Sequence, residues 1–180
     1  IYIRGHARDY EFWRQQGLSG WSYADVLPYF KRAECNIRGA DAFHGEKGPL
    51  HVEDSAHDHD LFDAFIASGV EAGYPANPDF NGMEQEGFGR YQFNIRNGRR
   101  WSAASAYLKP VLSRQNLTVE TEALARRIVF EKDRAVGVRY ARGRDEIDVF
   151  AAREVILSGG VINSPQLLML SGIGPADDLA

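Results

Sequence analysis

Residues 154–175, with the sequence EVILSGGVINSPQLLMLSGIGP, decide the fold expected for this chain. The apolar residues 155–157 predict a fully buried strand, because a short apolar run bounded by glycines is typical of the interior of a sheet. Gly159 and Gly160 follow this run. Since glycine has no side chain, it is typical of positions where the backbone turns tightly or approaches another group closely. The stretch therefore predicts a strand, a glycine turn and a helix.

The helix is expected to begin just after the glycines. Asn163 or Ser164 can cap it, Pro165 suits its first position, and Gly172 suits its end. The exposed N–H groups at such a helix start can bind a phosphate or another anion. The same pattern occurs in α/β proteins that bind no ligand there, so both interpretations stay open on the residues alone.

Composition limits the classes of protein to be considered. The chain has 180 residues, enough for one ordinary domain or two small ones, and 44% of them are apolar. The net charge of -4 argues against a nucleic-acid partner, and no apolar run is long enough for a transmembrane segment. A single cysteine, Cys35, fits the cytoplasm, with peripheral binding to the inner membrane as an alternative location. Because Ile1 is not a natural start, we expect the true N-terminus to precede it.

Periodicity predicts helices in the first half of the chain. Apolar spacing indicates a helix over residues 7–16, a second one capped by Ser22, and a third over residues 61–73 capped by Asp60. The pattern of residues 50–53 predicts a short strand.

The second half has a different character. Asn97-Gly98 predicts a tight hairpin, and residues 101–112 predict short helices around Pro110. From residue 116 onward, segments that alternate in polarity predict an antiparallel meander that leads into the buried strand. The fold class expected is therefore α+β (mixed α/β).

Candidate chemistry is sparse. His51, His57 and His59 lie near several aspartates and could bind a metal, which would make the protein a metal-dependent hydrolase that contains zinc. A solvated acidic turn that precedes the third helix is the preferred interpretation. Arg99 and Arg100 could bind an anion, or they could be solvated arginines on a hairpin. No Gly-x-Ser-x-Gly and no Gly-x-Gly-x-x-Gly motif occurs, so the residues alone define no complete catalytic site.

Several motifs in a consistent order carry a resemblance. Residues 155–175 resemble the second signature of the glucose–methanol–choline (GMC) flavoprotein oxidoreductases, with Val161 where alanine is usual. The resemblance extends over nearly the whole chain, through residues 2–34, 43–50, 80–89 and 98–108.

The resemblance implies an FAD enzyme that oxidises a primary alcohol, choline or an aliphatic alcohol, to the aldehyde, with a quinone or oxygen as electron acceptor. The chain then resembles an internal fragment: residues 1–115 form a helical flavin-lid and substrate-domain segment, and residues 116–180 form part of the Rossmann-like FAD domain. The catalytic residues are expected beyond Ala180, so none is assigned here.

Three cofactor positions follow from the resemblance. Ala125 is expected to contact the adenine of FAD through its backbone, and Gly159 and Gly160 to lie near the nucleotide half of FAD, which suits glycines after a central strand. The alternative to an enzyme is a non-catalytic binding or scaffold module derived from one.

Overall fold

The computed structural model describes residues 1–179 and shows two compact units. The first is Ile1–Leu117, called here the N-terminal unit, and the second, the C-terminal unit, begins at Thr118. The roles that the sequence assigned to residues 1–115 and 116–180 stay a prediction.

The N-terminal unit carries its helices before and between short strands. Its elements are α1 (Ala7–Gln15), α2 (Tyr23–Ala33), β1 (Glu34–Asn36), β2 (Leu50–Asp54), α3 (Asp60–Glu71), β3 (Gln92–Phe93), β4 (Ile95–Arg96) and β5 (Arg99–Arg100), followed by a π-helix (Ala104–Leu108) and a 3₁₀ turn (Lys109–Val111). The longest of these, α3, has 12 residues, and no helix within residues 1–179 is long and apolar enough to cross a membrane.

Local hydrogen bonds begin the helices of this unit. Ser22 caps α2, as predicted, since its side chain accepts the N–H of Asp25 while the Asp25 carboxylate accepts the N–H of Ser22. The predicted cap of α3 is wrong. His59, not Asp60, is the cap, because its Nδ1 accepts the N–H of Leu61 at 3.1 Å and Asp60 is already helical.

Strand β2 is the centre of the N-terminal sheet. It pairs in parallel with β1 and antiparallel with β3, and its Val52 is completely buried. The predicted hairpin is confirmed: Asn97 and Gly98 both have positive φ and join β4 to β5.

The C-terminal unit contains the predicted meander. Its strands β6 (Leu124–Glu131), β7 (Arg134–Arg142) and β8 (Asp145–Phe150) pair antiparallel in that order, and α4 (Gly160–Leu170) and α5 (Ala176–Leu179) follow. Arg139 on β7 donates two hydrogen bonds to the carboxylate of Asp148 on β8, at 2.6 and 2.7 Å, and so supports the register.

The predicted buried strand over residues 155–157 is wrong. Within residues 1–179 this segment pairs with no strand, and Ile156 is 75% exposed. An apolar run becomes a buried strand only where neighbouring strands supply hydrogen bonds, and in the described part of the chain β6, β7 and β8 pair only with one another. The apolar pattern predicted a buried strand, but none of residues 155–157 is buried in the structure.

Helix α4 begins earlier than expected. Gly159 occupies the N-cap and the helix starts at Gly160, so that Asn163, Ser164 and Pro165 lie inside the helix instead of at its start. Its end agrees with the sequence: Gly172 has φ +85°, and the N–H groups of Gly172 and Ile173 bond to the carbonyls of Met169 and Leu168.

Candidate functional site

Two of the three predicted cofactor residues line one cavity of the C-terminal unit. The cavity has a volume of about 440 Å³, and Ala125 on β6 and Gly159 at the start of α4 both contribute to its wall. Apolar side chains form much of the rest, from Leu124, Val138, Leu157 and Leu167. Gly160 does not line this cavity, although it adjoins Gly159 in the chain.

The two glycines are required for different reasons. A Cβ on Gly159 would lie 3.1 Å from the Cβ of Asn163 and 3.2 Å from the backbone nitrogen of Ser164, so a side chain here would fit only if the helix start shifted by a few tenths of an ångström. Gly160 has open space around it but a φ of +86°, which only glycine adopts readily. The turn into α4 therefore depends on both glycines through backbone geometry.

Helix α4 is fixed against β6 at its C-terminal end. The Ser171 hydroxyl accepts the N–H of Ile128 at 2.8 Å and donates to the carbonyl of Leu167 at 2.6 Å. Ile128 is 5% exposed and lies among the few buried apolar residues. This link sets the distance between α4 and β6, and so it shapes the cavity beside Ala125.

Backbone groups and a small side chain border the cavity on the β6 side. Strand β6 is at the edge of the sheet, so peptide groups on its outer side face no strand within the described residues. The side chain of Ala125 is small and exposed, which leaves the backbone accessible to a planar ligand. The first N–H groups of α4 follow Gly159, which provides no side-chain cap for them. The Gly159 N–H donates to Ser164 Oγ at 2.9 Å, so the cavity offers mainly an apolar wall, which could hold a flat base.

The N-terminal unit holds a buried polar cluster that the sequence did not reveal. Its ionisable members are Arg4, Glu34, His44 and Asp79. Arg4 Nη2 lies 2.7 Å from Glu34 Oε2, His44 Nδ1 lies 3.0 Å from Glu34 Oε1, and His44 Nε2 lies 2.9 Å from Asp79 Oδ2. Asn36 and Gln92, both buried, complete the hydrogen bonding.

The pKa values within the cluster move in the directions that charge pairing favours. Hydrogen bonding to Glu34 raises the pKa of His44, and the bond to Asp79 adds to this, whereas burial lowers it. Burial raises the pKa of Glu34, but hydrogen bonds from His44 and from the Gly45 N–H, together with the charge of Arg4, outweigh it and hold that pKa below its ordinary value. Glu34 is thus a carboxylate despite its complete burial.

The histidines of the metal hypothesis make different polar contacts, although His57 and His59 both lie beside the ring of Phe62. His51 Nε2 lies 3.3 Å from Glu53 Oε2, His57 lies with its ring edge-on to Phe62, and His59 caps α3. Among the side chains that the structure describes, no three from histidine, cysteine, aspartate or glutamate are placed to bind a metal ion. Arg99 and Arg100 are exposed on β5, as expected for solvated arginines on a hairpin.

The structure thus describes a chain of mixed helices and strands, with an apolar cavity between β6 and α4 in its C-terminal unit. Comparison with protein families gives the family directly, since the model for GMC oxidoreductase matches residues 1–179. The chain belongs to the GMC oxidoreductase family, whose members bind FAD.

Curated relatives are similar over almost the whole chain. Human mitochondrial choline dehydrogenase is 54% identical over 179 residues, which are 99% of this chain and 30% of that protein. The oxygen-dependent choline dehydrogenase of Brucella anthropi is 53% identical over 99% of this chain and 32% of its own length. The chain therefore spans about a third of the length of these relatives.

Solved structures are similar as well. Pyridoxine 4-oxidase from Mesorbium loti superposes on 99% of this chain and 35% of its own with a TM-score of 0.89 and 36% identity. An FAD-dependent oxidoreductase from Chaetomium thermophilum superposes on 98% of this chain and 33% of its own with a TM-score of 0.92 and 26% identity. These likenesses confirm the predicted fold class, a mixed α/β part of a Rossmann-like FAD domain.

Proposed function

We propose that this chain is part of an FAD-dependent oxidoreductase that converts a primary alcohol, choline or an aliphatic alcohol, into the aldehyde. The observation that carries the proposal is the identity of more than half of the residues with choline dehydrogenases, over 99% of the chain. When bound, FAD would supply the chemistry by accepting a hydride from the alcohol carbon.

The C-terminal unit would hold the nucleotide half of the cofactor. In this proposal the adenine lies in the cavity between β6 and α4, against the backbone of Ala125. Gly159 and Gly160 would keep side chains away from the nucleotide where α4 begins. Residues 1–115 would form the flavin lid and the contact with the substrate domain, and no residue of this chain is assigned to proton or hydride transfer.

The decisive experiment uses the intact gene product that contains these 180 residues. Its visible spectrum is recorded without oxygen, first alone, then after addition of choline and, separately, of a medium-chain primary alcohol. Bleaching of a flavin spectrum by either compound supports the proposal and identifies the substrate class. A bound flavin that neither compound reduces would contradict the proposed substrates, and the lack of any flavin after addition of FAD would favour the scaffold module.

A second test uses the 180-residue chain by itself. We expect it to be inactive and to bind FAD weakly or not at all, because its sequence has no Gly-x-Gly-x-x-Gly loop to hold the pyrophosphate. Equilibrium dialysis against FAD measures this directly. Tight stoichiometric binding by the 180 residues would show that the described cavity is sufficient and would overturn this expectation.

The electron acceptor and the location are part of the same proposal. Reoxidation of the reduced flavin by oxygen or by a soluble quinone would distinguish an oxidase from a quinone-linked dehydrogenase. We infer a cytoplasmic enzyme, with peripheral attachment to the inner membrane as the alternative. Fractionation of cells with and without a high-salt wash separates these two locations.

A further inference from the structure

We propose that His44 is a proton-dependent latch in the N-terminal unit: as an imidazolium it joins β1 to two loops through Glu34 and Asp79, and it releases them when it loses a proton. The proposal does not depend on the proposed function, because it concerns only the folding of this unit.

The surroundings of the imidazole favour two protons on the ring. Its Nδ1 lies 3.0 Å from Glu34 Oε1 and its Nε2 lies 2.9 Å from Asp79 Oδ2. Ionised carboxylates only accept hydrogen bonds, so each ring nitrogen must donate. The Asn36 amide nitrogen also lies 3.0 Å from Nδ1, but its two N–H groups are directed to Glu34 Oε1 and Gln92 Oε1. A neutral ring would lose its hydrogen bond to one of the two carboxylates, although each keeps other donors.

The second proton on His44 balances the charges of the cluster. Arg4 and protonated His44 together match the charges of Glu34 and Asp79, whereas a neutral His44 would leave one negative charge in excess. Glu34 keeps Arg4 as a partner, so the excess would fall on Asp79, whose side chain is 28% exposed, and a partly buried unpaired charge is destabilising. Other charged or titratable groups surround the cluster. Asp41 accepts the N–H of His44, and Lys31 donates to the carbonyl of Asp41. Tyr2 contacts Arg4, and Gln92 hydrogen-bonds to Asp54, which pairs with Arg38.

The latch connects segments that are far apart in sequence. Glu34 begins β1, His44 lies in the loop before β2, and Asp79 lies in the loop after α3. The Asp79 loop also holds the start of the chain, since Asn81 accepts the N–H of Arg4 at 2.8 Å and donates to the carbonyl of Tyr2 at 3.1 Å. Release of Asp79 would therefore loosen the loop and, through Asn81, the N-terminal segment.

The direction of the pH effect follows from linkage. The pKa of His44 in the folded chain is raised above its ordinary value of 6.5. The stabilisation by the latch is therefore complete below about pH 6.5, the pKa in the unfolded chain, and is lost as the pH rises through the pKa of the folded state.

The first measurement is urea unfolding of the 180-residue chain at several values between about pH 6 and pH 9, a range that brackets an ordinary and a raised histidine pKa. Tryptophan fluorescence reports on the N-terminal unit, because all three tryptophans lie there: Trp13, Trp21 and Trp101. We expect the urea midpoint of the natural sequence to fall as the pH rises. His44→Gln should lower the folding equilibrium constant about tenfold to hundredfold at the acidic end and remove the pH dependence.

A matched control is His57→Gln, which removes an exposed histidine of the same unit and should keep the full pH dependence. Nitrogen NMR of the natural sequence gives a direct readout even where His44→Gln does not fold. We expect both ring nitrogens of His44 to be protonated at neutral pH, and the amide of Gly82 in the Asp79 loop to shift with the same midpoint. A His44 ring that is neutral at pH values below about 6.5, or a urea midpoint that is unchanged over the range, would overturn the latch.

Discussion

Arg4 and Glu34 lie 30 residues apart in the sequence and form an ion pair in the interior, with Arg4 Nη2 2.7 Å from Glu34 Oε2 and side chains that are 3% and 0% exposed. Further hydrogen bonds compensate the loss of water: Arg4 also donates to the carbonyl of Phe43 at 2.8 Å, and Glu34 accepts the N–H of Gly45 at 3.0 Å. The pair thus ties the start of the chain to β1 and to the loop that follows it.

Removing one charge of this pair should cost much of the stability of the N-terminal unit. Glu34→Gln keeps the size of the side chain but removes its negative charge. The buried Arg4 then has no ion-pair partner, and Asp79 is the one carboxylate that still pairs with His44. We expect the free energy of unfolding to fall by about 3–5 kcal/mol, the usual cost of breaking a buried pair from one side. Urea unfolding followed by tryptophan fluorescence measures the change.

The control for this prediction is Glu11→Gln. Glu11 also forms an ion pair with an arginine, Arg14, at 2.8 Å, but both side chains are at the surface. Solvent and salt screen such a pair, so the urea midpoint should hardly change. Equal effects of the two substitutions would mean that the Arg4–Glu34 pair does not hold the interior together.

Acid should also destabilise this unit through Glu34. The pKa of Glu34 is held below its ordinary value of 4.5, since burial is outweighed by its hydrogen bonds and by Arg4. A depressed carboxyl pKa stabilises the fold at pH values above the pKa of the unfolded chain and loses this contribution as the pH falls through the folded value. We expect the urea midpoint of the natural sequence to fall below about pH 4.5 and that of Glu34→Gln to fall less steeply. Parallel curves for the two proteins would contradict this prediction.

A third prediction concerns Gly69, in the last turn of α3. Glycine in a helix is less stable than alanine by about 0.5–1 kcal/mol, so helix propensity alone favours Gly69→Ala. The structure predicts the opposite sign, because a Cβ at this position would lie 2.3 Å from the ring of Phe88. We expect a net loss of about 1–3 kcal/mol in the free energy of unfolding, as is usual for an overpacked site.

A double-mutant cycle separates these two effects. In a chain that carries Phe88→Ala the ring is gone, and Gly69→Ala should then stabilise the protein by roughly the helix-propensity amount. Thermal unfolding of the four proteins gives the coupling energy. Stabilisation by Gly69→Ala in the natural sequence would show that Phe88 can move aside without cost.

Local interactions explain why much of the fold was predictable. The cap of α2 depends on Ser22 and Asp25, which are three residues apart, and the hairpin depends on Asn97 and Gly98, which are adjacent. The meander follows from alternating polarity, since successive strands pair with one another. Such contacts lie within a short window of sequence, where the pattern of residues carries the information.

Long-range contacts explain what was missed. His44 and Asp79 are 35 residues apart, and both occupy loops, where isolated polar residues produce no periodicity. The strand expected over residues 155–157 failed for a related reason, because burial depends on neighbours that no local pattern specifies. For the candidate site, resemblance to the family selected Ala125 and Gly159, and the structure brings both to one cavity. Their contact with FAD stays a prediction.

That contact can be tested at Ala125 in the intact gene product. Ala125→Glu would place a long, negatively charged side chain in the cavity, where it would occupy the proposed adenine position and repel the phosphates of the nucleotide. We expect a clear fall in the ratio of flavin absorbance to protein absorbance after purification. Because the Ala125 side chain is exposed, the melting temperature of the cofactor-free protein should hardly change.

Ala125→Ser is the matched control, since a contact made through the backbone should tolerate another small residue and keep the flavin. The two variants together distinguish a backbone contact from a structural role of β6. Loss of flavin in both variants with normal folding would indicate that the Ala125 methyl group itself contacts the ligand. Full retention of flavin by a folded Ala125→Glu protein would exclude this cavity as the adenine site, because a charged side chain of that length and a bound base cannot occupy the same space.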